Sequence, residues 1–533
     1  MNTRFLVLMA IAVLVYFVNL NGSSIYILDE AKNASCAMEM AERNDWVVPT
    51  FNGELRTDKP PLHYYAMRLA YFVSGGITPG AARFFSAVCG VLMIMLVYGG
   101  TKRILNEPIA FWSSLILLSS VQLSIQFRLA VPDPYLILAI TSTLYCTFLG
   151  IHGNRKAMVG AYAFAALAFL CKGLIALVLP SLVVFVYLIV TRRLSLKTIN
   201  LLRLQVGIPL FAIIALPWYI AVGVATDGAW LHGFFVEHNV SRYTSTMEGH
   251  SGFPLAPFAI MIVALLPFSL VVVPAIINAV RHRAEQPFIL FALIVVAVVG
   301  IFFSISRTML PSYPAPALPF LAIVLGAYIQ QVIVRQDLQR LAVNVLFLIA
   351  SVIALGVPAG IYIALKQEVQ LMILTGLAWV FTFLPVGSFT AWFLFFRNRS
   401  ASLYVLALTW TMVSIVFFTI AYPQVDALNP VSMAMKVKEQ QYKDLPLLSY
   451  KRFNPAFVFQ ARQPIDVVNS DQELKAWLDR NGDAFIISRA DVAMESEVLN
   501  GLTVAYRGRD LFERTETVVL VSHKKSAAKV TDK

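Results

Sequence analysis

The chain has 533 residues, 58% of them hydrophobic and 14% charged, with a mean hydropathy of +0.72. That balance excludes an ordinary water-soluble domain and describes a polytopic membrane protein. The formal charge of +12 is carried largely by short loops, where it sets topology and meets anionic headgroups; no nucleic-acid motif accompanies it.

A helix crosses a bilayer in about 20 apolar residues. Thirteen stretches meet that length: 4–21, 82–100, 108–126, 133–151, 157–172, 174–191, 204–222, 255–279, 287–305, 314–334, 341–365, 370–396 and 402–422. The first lacks a small-residue cleavage site and reads as a retained span. The pair 157–172 and 174–191 is separated only by Lys172-Gly173, which demands a very tight hairpin. Loops rich in Lys and Arg (Lys102-Arg103, Arg155-Lys156, Arg192 to Arg203, Arg281-Arg283, Arg397-Arg399) are expected on the cytoplasmic side, with the N-terminus. The alternating loops, led by the polar stretch 22–80 with its amphipathic helices, then face outward together with the tail.

These signals divide the chain into a transmembrane unit, 1–422, and a small α/β extracytoplasmic unit, 423–533. In the tail, Leu445 to Tyr450, Phe457 to Ala461, Ala484 to Ser488 and Val518 to Ser522 read as β-prone runs. Ser470-Asp471-Gln472-Glu473 is a capping-box start for a helix through Arg480, stopped by Asn481-Gly482. The four cysteines, Cys36, Cys89, Cys146 and Cys171, have no CxxC spacing, so neither a disulfide framework nor a zinc cluster is expected. No repeat of 20 to 50 residues is present.

Ionisable residues at a membrane's edge are costly and need a partner or a function. The sparse outward charges fall at span ends: Asp29, Asp58, Lys59, Arg128, Asp133, Lys172, Glu237, His238, Arg242 and Arg307. Gathered in one outer chamber, they would set carboxylates beside cations. Such a set suits displacement of a phosphate leaving group: a carboxylate takes the proton of an attacking hydroxyl while cations hold the departing anion. Each residue also has a local reading. Asp29 is equally a helix cap, Asp58-Lys59 a solvated turn, and Asp133 before Pro134 an ordinary helix start. Lys172 fits a snorkelling cation and Tyr313 an interfacial anchor.

Several motifs recur in a fixed order: Asp29-Glu30, Asp45-Trp46-Val47-Val48-Pro49, Asp58-Lys59-Pro60-Pro61-Leu62, Val131-Pro132-Asp133-Pro134, Phe169-Leu170-Cys171-Lys172-Gly173, Pro217-Trp218-Tyr219, Phe234 to Asn239 with Arg242-Tyr243, and Leu310-Pro311-Ser312-Tyr313. This ordered set resembles the bacterial GT-C superfamily glycosyltransferases related to aminoarabinose transferase and protein O-mannosyltransferase. The resemblance implies a GT-C fold in the bacterial inner membrane and inverting transfer of a sugar from a polyprenyl-phosphate donor to a lipid A, glycolipid, glycan or protein acceptor on the periplasmic side. It implies Asp29 as the base or acceptor-orienting carboxylate and Asp133 as a second catalytic acid. Glu30, Lys59, Arg128, Lys172, Arg242, Arg307 and Tyr313 would contact substrate. Asp58 and His238 would hold a divalent metal; no nucleotide cofactor is implied. One departure stands at Thr308-Met309-Leu310-Pro311, where relatives often carry Gly-Lys-Leu-Pro: a cation is missing there, and Arg307, two residues earlier, either reaches the same phosphate or faces away. The competing class is a flippase or transporter of a lipid-linked sugar, which predicts inverted repeats and broken helices, and the sequence displays neither.

Overall fold

A computed structural model describes residues 3–240, 253–283, 285–306, 310–334, 340–511 and 515–522. All thirteen apolar stretches are helical in whole or large part. Eight of the described helices are long and apolar enough to cross a bilayer, nine when the bent pair Ala256–Ala264 and Phe268–Arg281 counts as one span. The other four predicted segments form shorter or less apolar helices: Thr3–Phe17, Glu107–Leu118, Arg155–Lys172 and Ile175–Val190.

Three predicted spans are interrupted; stretch 108–126 divides at Ser119-Ser120 into Glu107–Leu118 and Val121–Gln126. The pair Ala256–Ala264 and Phe268–Arg281 turns through 119° at a break containing Pro267, where proline withholds a backbone donor. Stretch 370–396 divides into a 3₁₀ turn, Val369–Leu374, a single helical turn, Leu377–Val380, and the helix Phe383–Phe395. A broken helix therefore exists in the bundle, against the sequence expectation of none.

The polar loop 22–80 is ordered. Its head is the helix Leu28–Glu42, followed by a hairpin of strands β1 (Thr50–Phe51) and β2 (Glu54–Leu55) in which Phe51 pairs with Glu54. Asn52 (φ 55°) and Gly53 (φ 79°) make the turn, as expected of an Asn-Gly two-residue loop that needs both residues left-handed. The Glu39 carboxylate locks it, accepting from Thr50 Oγ1 (2.6 Å), Asn52 N (2.6 Å) and Gly53 N (3.2 Å). The helix Leu62–Ser74 follows and leaves Phe72 and Val73 exposed, as a helix resting on a membrane surface would.

The tail carries a five-stranded mixed sheet of β3 (Leu447–Tyr450), β4 (Asp466–Val468), β5 (Phe485–Arg489), β6 (Thr503–Arg509) and β7 (Glu516–Val521), in the order β4-β3-β5-β7-β6. β3 runs parallel to β4 and β5; β7 runs antiparallel to β5 and β6. Phe457 to Ala461, read as β-prone, instead belongs to the helix Ala456–Ala461. Asn454 starts it by accepting from Ala456 N (2.9 Å), and the parallel pair β3–β4 requires a crossover there. The expected Ser470 cap forms, but Glu473 reaches back one residue beyond the N-cap amide that a capping box uses. Ser470 Oγ accepts from Glu473 N (3.2 Å), while the Glu473 carboxylate accepts from Asn469 N (2.7 Å), and Gly482 closes the helix at φ 81°.

Candidate active site

The head helix Leu28–Glu42 begins after Ile27, which makes no side-chain cap. Asp29 stands in its first turn without a capping bond, and its side chain is 52% exposed. The capping reading of Asp29 therefore fails, and its carboxylate is half exposed. One of its oxygens lies 3.9 Å from Arg56 Nη2; Asp58 lies 3.5 Å from Arg56 Nε.

Arg56 was missed in the sequence, where it is one cation in a polar loop. It is buried, donates Nη2 to Asn33 Oδ1 (3.0 Å), and its Nε and Nη1 have no hydrogen-bond acceptor among the described residues. Burial opposes its charge, yet Tyr64, Cys36, Asp58 and Asp29 around it hold its pKa above the ordinary value. Its Nε faces Asp58, so Nη1 is the nitrogen left with neither a hydrogen-bond acceptor nor an ion-pair partner among the described residues, a state that calls for a further acceptor. Lys59 is buried beside it, and both cations bear on His63, whose pKa falls well below normal, first through burial and then through Arg56 and Lys59. Burial pushes the Cys36 thiol up to about 12, so it is no nucleophile.

The second acidic group assembles from two other spans. Asp133 opens the helix Asp133–Ile151 and accepts from Lys172 Nζ (2.5 Å) and Gln126 Nε2 (3.0 Å). Lys172, at the end of Arg155–Lys172, also lies 5.4 Å from the Tyr313 ring and within electrostatic reach of Asp29. It is thus turned inward, not snorkelling. Gly173 permits this hairpin at φ 68°: a Cβ there would meet the Phe234 ring at 2.6 Å. The segment around Phe234 is brought in by Trp230, whose indole donates to the Arg56 carbonyl (2.8 Å), and by Trp218, which donates to the Val47 carbonyl (3.1 Å). The motifs of the outer loop, the tight hairpin and the Pro-Trp-Tyr segment therefore pack together.

Glu30 and Arg128, expected to touch substrate, are placed elsewhere. Glu30 is fully buried, paired with Arg83 at 2.7 Å and 2.9 Å, and accepts from Ala130 N (2.9 Å). Arg128 is buried and spends its terminal nitrogens on the carbonyls of Val15, Tyr16 and Val18, at the end of Thr3–Phe17. Helix ends leave carbonyls orphaned, and this arginine satisfies three of them. Both residues hold the loop to the bundle. Arg242, Arg307 and the His238 side chain lie outside the described residues. Asp58 leans on a guanidinium, and among the described residues no group of three or more His, Cys, Asp or Glu is arranged for a metal. The described donors do not make a metal site.

The whole architecture superposes on crystal structures of ArnT from Cupriavidus metallidurans. The undecaprenyl-phosphate-bound form matches at a TM-score of 0.82 with 23% identity over 97% of both chains. The chain has an ArnT-like GT-C fold. The Archaeoglobus fulgidus oligosaccharyltransferase matches this GT-C fold more loosely, at a TM-score of 0.54 and 12% identity over 93% of this chain and 70% of that one. In sequence, residues 58–220 match the model of the dolichyl-phosphate-mannose-protein mannosyltransferase family. The undecaprenyl phosphate-alpha-4-amino-4-deoxy-L-arabinose arabinosyl transferase of Yersinia enterocolitica is 29% identical over 337 residues, 62% of this chain and 60% of its own. That of Serratia proteamaculans is 28% identical over 396 residues, 72% and 69%. The aligned stretch thus spans about 60% of the Yersinia relative's length.

Proposed function

We propose that the chain is an integral-membrane glycosyltransferase that moves a sugar from a polyprenyl-phosphate donor to an acceptor hydroxyl, with inversion. Undecaprenyl phosphate is the proposed carrier and lipid A the leading acceptor class, by likeness to the arabinosyl transferases. The protein would lie in the bacterial inner membrane, N-terminus in the cytoplasm and tail domain in the periplasm.

The observation that carries this reading is the pairing of one exposed carboxylate, Asp29, with a buried guanidinium, Arg56, that has donors to spare. In the proposed step the acceptor oxygen forms a bond to the anomeric carbon as the bond from that carbon to the phosphate oxygen breaks. The hydroxyl proton passes to Asp29, and the electron pair leaves with the polyprenyl phosphate, held by Arg56 and Lys59. Asp133 fixes Lys172, which faces the same space and adds positive charge where the phosphate departs. Tyr313 lines that side, and Arg242 and Arg307 are proposed further donor contacts. A divalent ion at Asp58 and His238 remains a separate proposal; transfer that persists after exhaustive chelation would remove it.

The test is purified protein in lipid bilayers given a panel of polyprenyl-phosphate sugars, with release of free polyprenyl phosphate followed as acceptors are added. Asp29→Asn should lower turnover by about 10²–10⁴-fold, the usual contribution of a positioned base, while donor binding is kept. Release with no sugar of the panel, or full turnover by the variant, overturns the reading. A carrier would instead keep translocating donor after the same substitution.

A further inference from the structure

Away from the proposed site, a cavity of about 560 Å³ lies between the outer loop, the helix Pro430–Gln441 and the tail helix Ala456–Ala461. Lys436, Lys438, Lys443 and Arg462 line it against a single acid, Glu439. None of the four cations joins a salt bridge to a described acid; Lys438 Nζ donates to the Lys443 carbonyl (3.1 Å) and Arg462 Nη2 to the Ile77 carbonyl (3.2 Å). Four cations thus share one concavity, their charge concentrated there and partly offset by Glu42, within electrostatic reach of Arg462, and by Asp444, within reach of Lys438. The walls also include Ile25, Phe459 and Pro79, the first residue of the span Pro79–Ile104. The cavity sits at the N-terminal end of Pro79–Ile104, a helix long and apolar enough to cross a bilayer, where a span of that length meets the headgroups.

We propose that this basic cavity binds a phosphoryl anion, presented by the headgroup of an anionic phospholipid lying beside Pro79 or supplied as free phosphate. Several cations converging on one concavity match phosphate chemistry, and the apolar wall suits the first methylenes below a headgroup. Burial lowers the Lys438 pKa, a cost that a bound anion would offset. The inference goes beyond the transfer reaction and shares none of its proposed residues.

The experiment is native mass spectrometry of the full chain released from an equimolar mixture of phosphatidylglycerol and phosphatidylcholine. The wild type should retain phosphatidylglycerol selectively. Lys436→Gln/Lys443→Gln should lose that retention about 30-fold, at about fivefold per surface charge removed; neither side chain holds a structural contact among the described residues, so folding is preserved, and Arg462→Gln provides a second, independent reduction. In a further arm, displacement of the lipid by inorganic phosphate at an ionic strength where chloride does nothing assigns free phosphate as ligand. Absence of displacement assigns the headgroup. Equal retention of both lipids by the wild type, or undiminished selectivity in both variants, overturns the proposal. The readout is occupancy and not turnover, so it fails or succeeds independently of the transfer reaction.

Discussion

At the scale of single residues, Asp29 and Glu30 have contrasting surroundings, and the proposed chemistry rests on that contrast. One peptide bond apart, they point in opposite directions: Asp29 is half exposed, while Glu30 is sealed against Arg83. Arg56 gives the exposed carboxylate its context. Loss of a charge-assisted hydrogen bond costs about 1.5–3 kcal/mol, so Arg56→Gln is expected to weaken polyprenyl-phosphate binding by roughly 10- to 100-fold in a direct Kd measurement; an unchanged Kd would remove Arg56 from the phosphate site. His63 supplies a pH test. Its folded pKa is depressed by burial, then by Arg56 and Lys59, so the folded state prefers the neutral ring. The stability this contributes is fully present above the unfolded pKa of about 6.5 and is lost as pH falls below it toward the folded value. The thermal midpoint should accordingly drop between about pH 7 and pH 5, and His63→Asn, which cannot titrate, should show a smaller drop.

At the scale of elements, the head helix Leu28–Glu42 illustrates stability imported from outside. It has no side-chain N-cap, and its position is fixed by Glu30 on Arg83 and by Glu39 on the β1–β2 hairpin. Removing one partner of a buried ion pair leaves a charge stranded, at about 3–5 kcal/mol. Glu30→Ala should therefore lower thermal stability markedly and turnover with it, and Glu30→Ala combined with Arg83→Met should recover part of the stability; a neutral single variant would contradict the assignment. The tail helix Ala456–Ala461 teaches a related lesson: apolar content of Phe457 to Ala461 suggested a strand, but the parallel register of its flanking strands left only a crossover for it.

At the scale of the molecule, the tail domain is fastened to the site-bearing loop. Leu511 N donates to Tyr26 OH (3.0 Å), three residues before Asp29, and Asn52 exchanges bonds with Ile465 at 2.9 Å and 2.7 Å. Arg509 pairs with Glu368 at 3.1 Å on the rim of the bundle. Tyr26→Phe strands the buried Leu511 amide at a cost of about 1–3 kcal/mol; faster hydrogen exchange at Leu511 is the expected signature, and unchanged exchange would mean the contact does not hold the domain.

The amino-acid sequence by itself determined the membrane class, the thirteen helical stretches and the Ser470 cap of the tail helix, because each follows from local composition or from spacing over a few residues. Only the tertiary structure decided which charges serve the outer space and which serve the frame. Glu30 and Arg128 look like Asp29 and Lys59 when read along the chain, yet their partners, Arg83 and the carbonyls of Val15 to Val18, lie 53 and about 110 residues away. The break at Pro267 and the burial of Arg56 were settled the same way. A side chain's role depends on what faces it, and in a bundle of long helices what faces it is seldom near it in sequence.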